Sequence, residues 1–192
     1  MNYHNAIHIP IEPLTRRGVN LLEYNKAMNG GKYFRAFLDS AIHINPEVIK
    51  LLDQYNLFIR FVELFYTPAN RNTLIHVESK PDEYMIPDNM AKINFIGGGE
   101  DSAMNWYKPI ITKSYQETSL NKFISYQPDE VVLVSSATLL NYNIVQTGIP
   151  HNITTKSKER YCVSLTLSFK GQTPKMIPYE RLANTLNDLL GS

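Results

Sequence analysis

Gln146 to Phe169 reads QTGIPHNITTKSKERYCVSLTLSF. Its second half alternates: Tyr161, Val163, Leu165, Leu167 and Phe169 share one face of an extended strand, and Arg160, Cys162, Ser164, Thr166 and Ser168 share the other, because strand side chains alternate with period 2. One face is apolar and the other polar. Ahead of the strand, Thr147-Gly148-Ile149-Pro150 turns the chain into His151. The polar row faces either solvent or a cavity with His151 at its mouth.

Outward from this strand, most of the chain reads as short strands. LFIRFVELFY, 57 to 66, is dense in β-branched and aromatic residues and ends before Thr67-Pro68-Ala69-Asn70. Simple alternation sets Leu57, Ile59, Phe61 and Glu63 on one face and Phe58, Arg60, Val62 and Leu64 on the other. TLIHVES, 73 to 79, puts Leu74, His76 and Glu78 on one side. AKINFI (91 to 96) and MNWYK (104 to 108) read as a hairpin across Gly97 to Ser102, whose glycines supply positive φ angles. EVVLV (130 to 134) and TLLNYNIVQ (138 to 146) follow, with Ser135-Ser136-Ala137 as the turn between them.

Two helices are legible. Asn45-Pro46-Glu47 carries a capping side chain, a proline at the first helical position and an acid in the first turn, so a helix runs to about Gln54 with Val48, Leu51 and Leu52 inward. A closing helix spans about 178 to 190, with a stripe of Leu182, Leu186, Leu189 and Leu190. Residues 1 to 45 read as short strands with at most a helical turn, since Pro10 and Pro13 interrupt the pattern and argue against a helix joining His4 to His8. Eight to ten strands with few helices favour an antiparallel sandwich or barrel.

Composition narrows the function. A chain of 192 residues fits one domain, and a net charge of +1 from 19 basic and 18 acidic residues gives no attraction to nucleic acid or an anionic membrane. Cys162 is the lone cysteine, no apolar run reaches the roughly 18 residues of a membrane helix, and the N-terminus lacks a secretory pattern. The expectation is a soluble cytoplasmic protein.

His76 and Glu78, two apart on one strand face, can enter the same volume, and His151 completes a set of two histidines and one carboxylate. That set leaves positions open on a non-haem Fe(II) ion for cosubstrate and oxygen. Arg160 faces the same way as Ser164, and a guanidinium grips a carboxylate through two parallel hydrogen bonds.

The order H-x-E (His76 to Glu78), AKINF, NWY (Asn105 to Tyr107), GIPHNI (Gly148 to Ile153) and ERYCVSLTL (Glu159 to Leu167) resembles the Fe(II)/2-oxoglutarate-dependent dioxygenases. It is most similar to aspartyl/asparaginyl hydroxylase-like and uncharacterised phage or bacterial members, across about residues 57 to 169. The resemblance implies a mainly β fold: a double-stranded β-helix, or jelly roll, a cupin-like barrel with a few flanking helices. It also implies hydroxylation of a small-molecule or peptide substrate coupled to decarboxylation of 2-oxoglutarate. His76, Glu78 and His151 would be metal ligands, Arg160 the 2-oxoglutarate anchor with Ser164 beside it, and Asn94 and Tyr107 further contacts. The family usually carries aspartate where this chain has Glu78, which motivates the alternative of a catalytically inactive cupin-like binding or assembly module. Oligomeric state and substrate identity stay open.

Overall fold

A computed structural model describes residues 3–79, 90–114, 116–117, 122–173 and 175–190. The elements, in order, are β1 (His4–Ala6), α1 (Arg16–Met28), β2 (Phe34–Leu38), α2 (Ser40–His43), α3 (Pro46–Gln54), β3 (Leu57–Thr67), β4 (Ile75–Ser79) and β5 (Ala91–Gly98). Then come β6 (Ala103–Pro109), β7 (Gln116–Glu117), β8 (Lys122–Tyr126), β9 (Val131–Ala137), β10 (Asn141–Gln146), β11 (His151–Thr154), β12 (Arg160–Phe169) and α4 (Tyr179–Thr185).

The strands form two antiparallel sheets, ordered β1-β10-β5-β12-β3-β2 and β7-β8-β4-β11-β6-β9. Successive strands from β3 to β6, and again from β9 to β12, alternate between the sheets. Four strands of one sheet, β10-β5-β12-β3, thereby oppose four of the other, β4-β11-β6-β9, which is jelly-roll connectivity. The fold is a double-stranded β-helix.

Its layering sends the apolar row of β12 outward. Val163, Leu165 and Leu167 are buried with Val62, Leu64, Ile93 and Phe95 under helices α3 and α4, which contribute Val48, Leu52 and Leu182. The capping that the sequence implies for α3 is present, with the Asn45 side chain accepting from the Glu47 amide at 3.0 Å. Between the sheets lies a smaller apolar cluster of Ile96, Met104, Trp106, Leu139, Val145 and Cys162, and the polar row of β12 points into this same interior.

Four expectations from the sequence are corrected. In β3, Phe61 opposes Thr166 whereas Ile59 opposes Leu167, so Arg60 is an extra residue in a bulge. The phase changes there: Leu57 and Ile59 join Val62 and Leu64 on the helix-covered face, and Phe61 and Glu63 turn inward. Strands β5 and β6 are not a hairpin; they lie in different sheets, and the glycines between them turn a corner. Ser135 to Ala137 belong to β9 rather than to a turn. Residues 16 to 28 form a helix, started by Thr15, whose hydroxyl accepts from the Gly18 amide at 3.2 Å. Its face is weakly patterned, with Val19, Tyr24 and Met28 exposed, so periodicity does not announce it.

No helix among the described residues is long and apolar enough to cross a membrane.

If the outer layer carries the stability, Leu165→Ala lowers the unfolding free energy by roughly 2–5 kcal/mol, as large-to-small changes at fully buried sites do. Urea denaturation measures this, and a loss under about 0.5 kcal/mol, the range of ordinary surface substitutions, contradicts the layering.

Candidate metal and carboxylate site

His76 and His151 come from adjacent strands β4 and β11 and stand directly opposite each other in the register. Their rings are 4.9 Å apart between centroids and tilted by 44°, the separation expected of cross-strand neighbours. The Nδ1 of His76 meets the Leu74 carbonyl at 2.9 Å, and the Nδ1 of His151 meets the Ile149 carbonyl at 2.9 Å. A carbonyl only accepts, so each Nδ1 carries a proton. Orienting a histidine through its other nitrogen is how proteins prepare imidazole for a metal.

The third candidate ligand, Glu78, has its main chain in β4 opposite Phe123; its side chain lies outside the described residues. Among the described residues no three His, Cys, Asp or Glu side chains cluster as a metal group.

Arg160 opens β12 at 3% exposure. Its Nη1 donates to Ser102 Oγ at a long 3.5 Å, and no carboxylate pairs with it among the described residues. The neighbouring Glu159 is turned away, bonded to Lys26 and to the Tyr66 hydroxyl. Burial pushes the Arg160 guanidinium pKa down, opposed by contact with Cys162. The glycine corner explains how the arginine fits: a Cβ on Gly99 would stand 2.6 Å from the Arg160 Cβ, and Gly99 has φ +65°.

A cavity of ≈ 90 Å³ connects these groups, lined by His76, His151, Arg160, Ser164, Asn94 and Lys92 among others. Ser164 and Asn94 are register partners on β12 and β5. Asn94 is 8% exposed, and its Oδ1 is buried without a hydrogen-bond partner. Lys92 reaches across β12 to bond Glu63 at 2.8 Å, and Glu63, wholly buried, is also held by Arg35.

Of the sequence candidates, His76, His151, Arg160, Ser164 and Asn94 share one cavity. Tyr107 does not line it. Alternation on β6 turns Tyr107 to the face opposite Trp106, where its hydroxyl donates to Asn152 at 3.1 Å and its ring packs against the cluster containing Ile75, Val77 and Tyr126. Lys92, Glu63 and Arg35 were not anticipated. The available signal was a lone base in AKINFI and a lone acid in LFIRFVELFY, since charges within apolar strands need buried partners.

No protein-family model matches the sequence, and no curated protein matches it. Among solved structures, the chain is similar to E. coli ycfD, at 12% identity and a TM-score of 0.35, over 70% of this chain and 30% of that one. It is similar to an oxidoreductase of the 2OG-Fe(II) oxygenase family from Burkholderia pseudomallei, at 10% identity and a TM-score of 0.36, covering 77% and 78% of the two chains. A cupin 2 domain-containing protein from Halorhodospira halophila aligns at 10% identity and a TM-score of 0.33, over 82% of this chain and 78% of that one. The chain thus spans under a third of the length of the first of these neighbours. The fold assignment stands on strand order and alternation, not on these likenesses.

Two outcomes follow from the interior. Glu63→Ala removes the carboxylate that Lys92 and Arg35 share and lowers stability by roughly 3–5 kcal/mol, as removing one partner of a buried ion pair does; thermal and urea unfolding read it. Burial pushes the Cys162 thiol up to about 11, with Arg160 pulling the other way. As a thiol it is a poor nucleophile, so a disulfide reagent at pH 8 labels it only after unfolding. Immediate labelling of the folded protein contradicts this placement.

Proposed function

We propose that this chain is an Fe(II)- and 2-oxoglutarate-dependent oxygenase. The observation that carries the reading is Arg160: a buried guanidinium, without a carboxylate partner among the described residues, in the same cavity as two histidines oriented through Nδ1. A buried charge is costly unless paired, so the cavity favours a ligand that brings its own carboxylate.

The donor set fits a metal. His76 and His151 would hold it through Nε2, and Glu78 would supply the carboxylate of a two-histidine, one-carboxylate triad. Iron, when bound there, supplies oxygen activation coupled to decarboxylation of the 2-oxo acid.

The chain's own groups do the rest. Arg160 receives the distal carboxylate of 2-oxoglutarate in two parallel hydrogen bonds, replacing the missing counter-charge. Ser164 donates its hydroxyl to the same ligand, and Asn94 offers a polar group facing the cavity. Phe65, Met104, Ile153 and Cys162 form an apolar wall that limits water around the ligand. Glutamate at position 78, where the resembling family usually has aspartate, favours a second reading, an inactive cupin-like binding or assembly module.

Incubation with Fe(II), ascorbate and 2-oxoglutarate decides between them. The oxygenase forms succinate even without its substrate; His151→Ala abolishes metal uptake, whereas Arg160→Met keeps metal uptake and weakens 2-oxoglutarate binding at least about tenfold, the scale of a lost charged hydrogen-bond pair. Absence of metal uptake by the native chain supports the module and removes the oxygenase reading.

A further inference from the structure

Strands β4 and β11 meet at one register pair, His151 opposite His76. Beyond it the pairing is irregular. The next bridge along β11 joins Thr154 to Asn72, so four steps on one side, Asn72 to His76, face three on the other, His151 to Thr154. The side leading into β4 therefore carries one extra residue, a bulge immediately ahead of a candidate ligand. Leu74 stands in that stretch, 70% exposed, and its carbonyl is the one that meets the His76 Nδ1.

The bulge makes the direction of His76 a matter of register. Side chains alternate, so a pairing shifted by one residue would present Ile75 to the cavity and turn His76 away. Main-chain hydrogen bonds alone do not choose between the two, because nearly every residue carries the same donor and acceptor. The choice falls to side chains.

Asn152 is placed to make it. It follows His151 and faces the other side of the sheet, where it is 2% exposed. Its Nδ2 donates to Asn72 Oδ1 at 2.7 Å and to the Thr73 carbonyl at 3.2 Å, both on the bulged side. Its Oδ1 accepts from Asn105 Nδ2 at 2.9 Å and from the Tyr107 hydroxyl at 3.1 Å, both on β6. These bonds use both donors and both lone pairs of the amide. Thr73 reinforces the bulged side: its Oγ1 accepts from the Ile153 amide at 2.8 Å, and its own amide donates to the Ile153 carbonyl at 2.9 Å. On the far side Ser136 Oγ donates to Asn105 Oδ1 at 2.7 Å and carries the network to β9. A buried polar network whose members are satisfied rigidifies what it joins and specifies one arrangement.

We propose that Asn152 is a positioning residue whose amide splints β11 to β6 and to the bulge, and so fixes the register in which His76 faces His151. That the two rings then hold a metal rests on the proposed function; the register role does not.

Two measurements on the full metal-free chain test it. Nuclear Overhauser contacts between the His76 and His151 rings report their meeting without any metal, and titration with Co(II), followed by its visible absorption, reports the ligand geometry. The native chain shows the ring contact. Asn152→Leu loses it and binds Co(II) about tenfold or more weakly, the scale of a lost outer-shell support. Asn72→Ala changes an exposed residue and so spares the fold; it weakens the ring contact and lowers Co(II) affinity roughly threefold, as loss of one hydrogen bond does. Leu165→Ala, destabilised from the outer layer, keeps both signals and so separates positioning from stability. Unaltered ring contact in Asn152→Leu overturns the proposal, as does a loss in Leu165→Ala equal to that in Asn152→Leu. If Asn152→Leu does not fold, an unaltered contact in Asn72→Ala overturns it instead. A native chain that takes up no Co(II), while its ring contact still depends on Asn152 or Asn72, removes the oxygenase reading and leaves the register role standing.

Discussion

Strand β12 must satisfy two opposite environments at once. It lies between β3 and β5 inside its sheet, so neither edge can turn to solvent and each side chain has only two directions. Val163, Leu165 and Leu167 need an apolar cover, which explains why α3 and α4 lie on that side. Arg160, Ser164 and Ser168 face the other way and need polar company. Ser168 finds it by donating to the Lys175 carbonyl at 2.6 Å, and Arg160 meets Ser102. The double-stranded β-helix accommodates both demands because its second sheet leaves an interior between the layers.

Much of this was visible in the residue order. The alternation of β12 and the cap of α3 each depend on neighbours within a few positions, and both appear in the structure; the closing helix stops at Thr185, short of the expected 190, so Leu182 lies on it while Leu189 and Leu190 follow in a tighter turn and its end. What could not be seen depends on counting or on distance. A period-2 pattern cannot reveal that Arg60 is an extra residue, because the bulge is defined by the partner strand. Gly97 to Gly99 allow either a hairpin or a corner, and only the pairing of β5 with β10 and β12 selects the corner.

The site divides in the same way. Alternation placed Arg160 and Ser164 on one face, and the structure turns that face inward. The joining of His151 to His76 and Glu78 rested on donor chemistry, which the family resemblance reinforced; their distance along the chain hides the β4–β11 pairing through which His76 and His151 meet. Tyr107 lies on the face of β6 away from the cavity, and no local pattern tells which face of that strand is internal. The ion pairs of Glu63 bridge β2, β3 and β5, passing over β12; no local pattern encodes a contact of that reach.

The outward-facing core has a consequence for how such a protein changes over generations. In most sandwiches the inner layer holds the fold together, and altering it risks collapse. Here the largest apolar layer lies outside the barrel, under the helices, so positions such as Asn94, Thr147 and Ser164 are relieved of most of that duty. New specificities can be tried inside while the scaffold is maintained elsewhere. One architecture can then serve unrelated reactions.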